Sequence, residues 1–481
     1  MASPRLPITS DLVSTLASSL HNTTVVTPSS PGYEESIARW SDAAVKQAGV
    51  VLLPVTSEDI SIAVKFVQEH HIDLAVRGGG HSVSGTSSSD GGVVIDLSRM
   101  RAVTVDIDKK IITAQGGALW ADVDTAAAEH GLATVGGTVN HTGIGGLTLG
   151  GGYGWLSGRH GMVVDNLLSA TVVLADGQIV TASSTENSDL FWALRGAGHN
   201  FGVVVEFQYR AHEQPNDVFA GVVSFTIDKL EAVIEVLNSL MEEPDANTAA
   251  VCGIGIPPLA PGVMVSVMPF YNGLEEEAKK VFAPLFALGP AVDQTTMIPY
   301  AALNGVINGM AGHGGRKTLK GIFFAKPLRP AFIRSVVENF EKKLQTDQDL
   351  AASMILLEFL DMRKVCEVPI SSTAVVNRST QTLNSVLFFR WEDPSKDAQH
   401  REYSRQLQNM FREELEARMQ DGNLAADTVP QYLNYAEPGD SAVPEIFGGN
   451  KAKLENLKAQ YDPQSLFSKM NAITPVAGVV G

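Results

Sequence analysis

Glycine placement narrows the folds open to this chain more than any other feature. Its 481 residues include 44 glycines, unevenly spread. Twelve fall in the thirty-one positions from Gly131 to Gly161. A second cluster runs Gly78-Gly79-Gly80, then Gly85, Gly91 and Gly92. Glycine at that density weakens regular elements and is tolerated where backbone turns sharply or approaches a ligand closely. An isolated cluster also reads as surface turns. Consecutive glycines at a strand end allow more, because several backbone N–H groups can point into one concavity and bind phosphate without formal charge. The run Arg77-Gly78-Gly79-Gly80-His81-Ser82 has that form and follows the strand text Leu74-Ala75-Val76. The pyrophosphate of a dinucleotide is its natural guest.

The length predicts two or three domains. Hydrophobic residues at 44% and charged residues at 19% allow a sizeable core. The net charge of −17 repels phosphate backbones and anionic lipids, so neither nucleic acid nor a membrane is expected as a partner. Cys252 and Cys366 are the two cysteines. They exclude a disulfide framework and a thiolate-rich zinc site, and leave one bridge between them open. No metal site is expected. No apolar run is long enough to predict a membrane-spanning helix. The start, Met1-Ala-Ser-Pro-Arg-Leu-Pro, shows no cationic region followed by an apolar stretch. A secretory leader is therefore not expected, and a cytoplasmic location is.

The fold class predicted is α+β. Residues 1–46 read as an N-terminal preface with one helical pattern around Ser10–Leu20. From Gly49 the text alternates. Val50–Pro54 reads as a buried strand, Thr56 or Ser57 caps a helix carrying Ile60, Val64 and Val67, and Leu74–Arg77 is the next strand. Residues 47–215 form the first domain. Residues 216–425 alternate strands with long helices, which predicts an antiparallel sheet with helices on one face. Residues 426–481 differ again. The charged helix starting at Asp397 reads as a solvated face, and Phe388 and Trp391 read as core.

The common nucleotide and hydrolase motifs are absent: there is no G-x-G-x-x-G, no phosphate-binding G-x-x-x-x-G-K, no H-E-x-x-H and no G-x-S-x-G. Four other stretches stand in order along the chain. They are Val76 to Ser82, Gly143-Ile144-Gly145-Gly146-Leu147-Thr148-Leu149-Gly150-Gly151-Gly152-Tyr153-Gly154, Asp189-Leu190-Phe191-Trp192 through Asn200-Phe201-Gly202-Val203, and Tyr432-Leu433-Asn434-Tyr435. Together they resemble the vanillyl-alcohol-oxidase or PCMH-type flavoprotein class, in its berberine-bridge-enzyme-like and 6-hydroxynicotine-oxidase-like branch.

The resemblance implies a two-part FAD-binding domain with an inserted substrate domain, and an FAD-linked oxidoreductase of secondary metabolism. It implies that Gly78, Gly79, Gly80 and Ser82 hold the pyrophosphate, with Arg77 also at the cofactor, and that His81 bonds the flavin through its 8α-methyl. Relatives add a second link from a cysteine; Val139 occupies that position, so a single covalent link through His81 is expected. Thr142 falls where relatives gate dioxygen, and its valine-like size leads to dioxygen as the expected electron acceptor. Gly143, Gly146, Gly150, Gly151 and Gly152 are expected beside the flavin, and Val203 and Val204 beside the adenosine. For His141 two readings stand: a substrate-facing acid or base, or a loop residue bonded to backbone.

On the substrate side the resemblance makes Tyr435 the catalytic base and places Asn434 at the flavin, with Tyr432 lining the pocket. The alternative is ordinary packing for both tyrosines. Glu358, in an apolar strand, is either paired or catalytic. Glu367 is placed near a base used by some relatives. His313, in a glycine-rich loop, reads as solvent-exposed. The expected substrate is a small hydrophobic metabolite losing a hydride from a C–OH, C–N or benzylic-type carbon. A cyclisation in the same pocket without net oxidation is the alternative.

Overall fold

The computed structural model describes residues 5–258, 260–425, 432–437 and 446–476. The first sheet has the strand order Thr23–Val26, Val50–Pro54, Val93–Asp96, Leu74–Arg77, its last three strands parallel. Val50–Pro54 is an unbroken apolar run because both faces of a parallel strand are covered; Val50, Val51 and Leu52 are all buried. Helix Ser57–Glu69 starts at Thr56, whose hydroxyl accepts the Asp59 N–H, and buries Ile60, Val64 and Val67. The segment before residue 47, read as a preface, supplies the edge strand Thr23–Val26. The buried Asp59 carboxylate holds that strand's start by accepting from the His21 and Asn22 amides and the Thr23 hydroxyl.

A second sheet is antiparallel throughout, in the order Val103–Asp106, Ile111–Gln115, Val203–Arg210, Leu167–Val173, Ile179–Ser183. The glycine-rich stretch that precedes Leu167 carries short elements only, among them the helices Ile144–Leu149 and Ser157–His160, joined by loop.

The third sheet is also antiparallel. Its main path runs Val292–Asp293, Val223–Thr226, Met264–Tyr271, Thr248–Gly255, Met354–Leu360, Thr382–Trp391, Arg316–Ala325. Its pleat sorts side chains by parity. Leu357, Leu387 and Phe389 are buried, and Phe389 packs on Phe340 and Tyr403 of helices Pro330–Thr346 and Asp397–Gln420. Leu356, Glu358, Val386 and Phe388 face the other way, into a cavity. The Asp397–Gln420 helix is not solvated all round: it buries His400, Tyr403, Leu407, Phe411 and Leu415 at helical spacing. Phe388 is buried at the cavity wall rather than in the helix-side core, while Trp391 is fully buried.

After helix Lys451–Tyr461 the chain comes back to the first two sheets, where Leu466 and Phe467 pack with Val173, Val203 and Val205. Residue 426, read as the start of the last segment, lies outside the described residues. Cys252 and Cys366 are free thiols. No helix among the described residues is long and apolar enough to cross a membrane.

Candidate active site

A cavity of about 970 Å³ draws its walls from all three sheets, at the upper end of the ~300–1,000 Å³ usual for small-molecule sites. Two glycine stretches meet at it. A methyl group on Gly79 would lie 2.3 Å from the Gly143 nitrogen, and one on Gly143 would lie 2.3 Å from the Gly79 nitrogen. Only glycine at both positions lets these backbones touch. Beside them Ser82 Oγ is hydrogen-bonded to Thr86 Oγ1 at 2.7 Å and to Ser84 Oγ at 3.0 Å. Ser87 Oγ is buried at the cavity wall with no partner among the described residues, and leaving a hydroxyl so costs about 1–3 kcal/mol. Backbone amides and hydroxyls at this end suit a pyrophosphate. The adjoining apolar walls of Leu97, Val203, Val204 and Phe207 suit flat rings. The residues present fit FAD.

Gly78, Gly79, Gly80, His81, Ser82, Thr142, Gly143, Gly146, Val203, Val204 and Asn434 all line the cavity. Arg77, Gly150, Gly151 and Gly152, also expected at the cofactor, do not. Arg77 turns away to pair with the buried Asp96 carboxylate at 2.7 Å and to donate to the Ser36 carbonyl. Gly150 makes room for Asn434, whose Oδ1 would lie 2.1 Å from an added methyl. Gly151 and Gly152 have φ of +117° and +84°, a backbone conformation that a side chain would strain.

At the other end Tyr435 closes a single helical turn, Leu433–Tyr435. Its hydroxyl donates to Glu358 Oε1 at 2.8 Å, and Asn384 Nδ2 donates to Glu358 Oε2 at 3.0 Å. Burial pushes the Glu358 carboxyl up to about 7, against the lowering effect of those two bonds. Burial, then the adjacent Glu358 charge, holds Tyr435 well above its ordinary range. Tyr435 is thus a phenol, and the group able to take a proton is Glu358 behind it. Asn434 Nδ2 donates to the Leu147 carbonyl and the Tyr432 hydroxyl, both at 2.9 Å. Tyr432 lines the cavity and packs edge-on against Tyr435. Glu367 is elsewhere. It follows the short helix Arg363–Cys366, is exposed, and pairs with Lys364 at 2.6 Å on a solvent-facing surface.

His141 is not part of the cavity wall; its Nδ1 lies 2.7 Å from His81 Nε2. His313 is exposed, as expected, yet its ring centre is 5.0 Å from that of His141. Trp40 stacks on His81 with ring centres 4.8 Å apart. Lys317, fully buried, places its amine over the Trp40 ring and donates to the carbonyls of Trp40, Gly314 and Gly315. Burial, then the neighbouring His141, His313 and Lys317, hold His81 well below its ordinary value, so its imidazole is neutral. Sequence reasoning missed Trp40 and Lys317. The available signal was a lone tryptophan in a polar stretch and a lysine in an apolar strand. It also missed His199, which lines the cavity with Nδ1 buried and unpartnered, its titration pushed by burial down to about 4.

Residues 48–183 match the family described as FAD binding domain, and residues 431–474 match the one described as berberine and berberine like. The FAD-linked oxidoreductase pgmH of Aspergillus terreus is 36% identical, over 96% of this chain and 95% of its own. Two solved structures under 25% identical share the fold. The 6-hydroxy-D-nicotine oxidase of Arthrobacter nicotinovorans superposes with a TM-score of 0.80 at 23% identity, covering 95% of this chain and 98% of its own. The glucooligosaccharide oxidase of Acremonium strictum does so with a TM-score of 0.82 at 23% identity, covering 97% and 100%. With a cavity built for FAD and a relative matched from end to end, this chain belongs to the berberine-bridge-like FAD-linked oxidoreductases.

Proposed function

We propose that this enzyme oxidises a small, uncharged, apolar metabolite at a carbon bearing a hydroxyl, an amine or a benzylic-type hydrogen, with dioxygen as the final electron acceptor. The observation that carries the reading is the Tyr435–Glu358 hydrogen bond inside a wall that is mainly apolar at this end. FAD, when bound, supplies the hydride acceptor. The protein's part is proton removal and orientation. Tyr435 takes the proton from the substrate's O–H or N–H and passes its own to Glu358, and Asn384 holds the carboxylate in line. Val251, Met268, Leu356, Val386 and Phe388 line this end, which favours an apolar substrate of the kind made in secondary metabolism. Thr142 at the wall is valine-sized, in keeping with dioxygen use. The reading is tested by anaerobic mixing with alcohols, amines and polyketide-like phenols while following absorbance near ~450 nm, the oxidised flavin band. Bleaching by one class is expected. Turnover of a substrate with no bleaching would sink the oxidation and leave cyclisation.

Attachment of FAD through His81 alone belongs to the same proposal. The relative from Acremonium strictum carries a 6-S-cysteinyl, 8α-N1-histidyl FAD. Here Val139, at the cavity wall, offers no thiol for a second link. Protein precipitated with acid is expected to stay yellow. His81→Ala is expected to bind FAD when native and to give a colourless acid pellet, and a yellow pellet from that variant would place the link elsewhere.

A further inference from the structure

His81, His141 and His313 form a triangle between the cavity wall and solvent, with ring centres 4.8, 5.0 and 5.8 Å apart. The first pair is in hydrogen-bond contact, His81 Nε2 to His141 Nδ1 at 2.7 Å. The second pair has ring centres 5.0 Å apart, and His313 is exposed. Trp40 fixes the His81 ring from one face, and the three carbonyls held by Lys317 fix Trp40 and the loop that carries His313. Three imidazoles in one place suggest a metal ion, but the spacing argues against it. Two nitrogens on one tetrahedral zinc stand roughly 3.3 Å apart, wider than the His81–His141 contact. The Lys317 ammonium lies 4.8 Å from the Trp40 ring centre that His81 stacks on, which further disfavours a cation.

A hydrogen bond between two imidazoles links their tautomers: where His81 Nε2–H is the donor to His141, the lone pair of His81 is left on Nδ1. We propose that His141 activates His81 for its own modification: it holds the Nε2–H of His81, so that Nδ1 meets the flavin methyl, and accepts the Nε2 proton as the N–C bond forms. The inference rests on the His81 attachment proposed above. Overall, one methyl C–H bond and one His81 N–H bond break and one C–N bond forms. The methyl proton is released to water, and the imidazole proton passes to His141 Nδ1 and out by way of His313. The two electrons enter the FAD ring and are removed by dioxygen, which leaves as hydrogen peroxide. His141 is a positioning residue and base for this step and takes no part in substrate oxidation.

The test uses the whole chain as purified and follows, over time in air, the fraction of bound FAD that stays with the denatured polypeptide, by gel fluorescence and intact mass. Wild type is expected to reach full attachment. His141→Ala is expected to bind FAD but attach it at least about tenfold more slowly, the low end of what a positioned base supplies falling near ~10²-fold, and free imidazole is expected to restore part of the rate. His141→Gln keeps a hydrogen-bond acceptor but cannot take the proton, so it is expected to be slow as well, and it serves if the alanine variant does not fold. Attachment at the wild-type rate in either variant would overturn the proposal, as would stoichiometric zinc in the purified protein. A wild type with no attached FAD would overturn the His81 link itself, and the role of His141 with it.

Discussion

Tyr435→Phe is expected to slow substrate-driven FAD reduction by about 10²–10⁴-fold and to leave FAD bound. The phenyl ring keeps the edge-on packing with Tyr432, so the wall survives and only the hydroxyl is lost. Glu358 is then left with Asn384 as its donor and with no proton path from the substrate. The pH dependence follows from the same pair. Glu358 accepts a proton only as carboxylate, and burial has raised its titration to about 7. The wild-type rate is therefore expected to rise with pH through that value, and below it to fall about tenfold per pH unit. Glu358→Gln is expected to be slow and flat over the same range. Anaerobic stopped-flow reduction on either side of neutrality measures all three proteins. A Tyr435→Phe variant reduced at the wild-type rate would remove this pair from the chemistry and return the tyrosines to packing.

The glycine stretches and His81 are legible in the sequence because their function is local: a backbone nest and the residue that follows it are written in adjacent letters. Two apolar strand texts, Val50–Pro54 and Met354–Leu360, are legible because a short, nearly unbroken apolar run suits a strand covered on both faces. The proton acceptor is harder to read. Glu358 and Tyr435 are 77 positions apart, and only the third sheet's register and the return of the tail bring them together. Glu367, nine positions along from Glu358, looks similar in the text yet has neither burial nor a cavity. Arg77 adjoins the nest, but the attraction of Asp96 turns it away. Trp40 and His313, far apart in sequence, meet at His81 through tertiary packing. His141 is the instructive case. Its place in a motif suggests an active-site group, and its Nδ1 lies in hydrogen-bond contact with His81 Nε2, away from the cavity wall.

Lys458→Met is expected to be among the most damaging changes to stability, at about 3–5 kcal/mol. Lys458 and Asp462 are both fully buried, with Nζ and Oδ2 2.6 Å apart. The amine also donates to the carbonyls of Asn200 and Phe467, each at 2.7 Å, and the carboxylate accepts the Leu466 and Phe467 amides, each at 2.8 Å. Through this one ion pair the last helix, the Asn200-Phe201-Gly202 turn and the returning tail are tied together. Removing only the cation leaves an uncompensated charge in the interior, and that, rather than the lost attraction, is the main cost. The partner substitution tests the argument. Asp462→Asn in the Lys458→Met background removes the stranded charge while its amide oxygen still accepts from the tail. The double variant is therefore expected to be more stable than Lys458→Met alone, a non-additivity that independent contacts would not give. Urea unfolding followed together by circular dichroism and flavin fluorescence reads both. Leu466 and Phe467 also line the cavity, so in Lys458→Met the flavin signal is expected to change at lower urea than the far-ultraviolet signal. Coincident transitions with the wild-type midpoint would show that the pair contributes nothing.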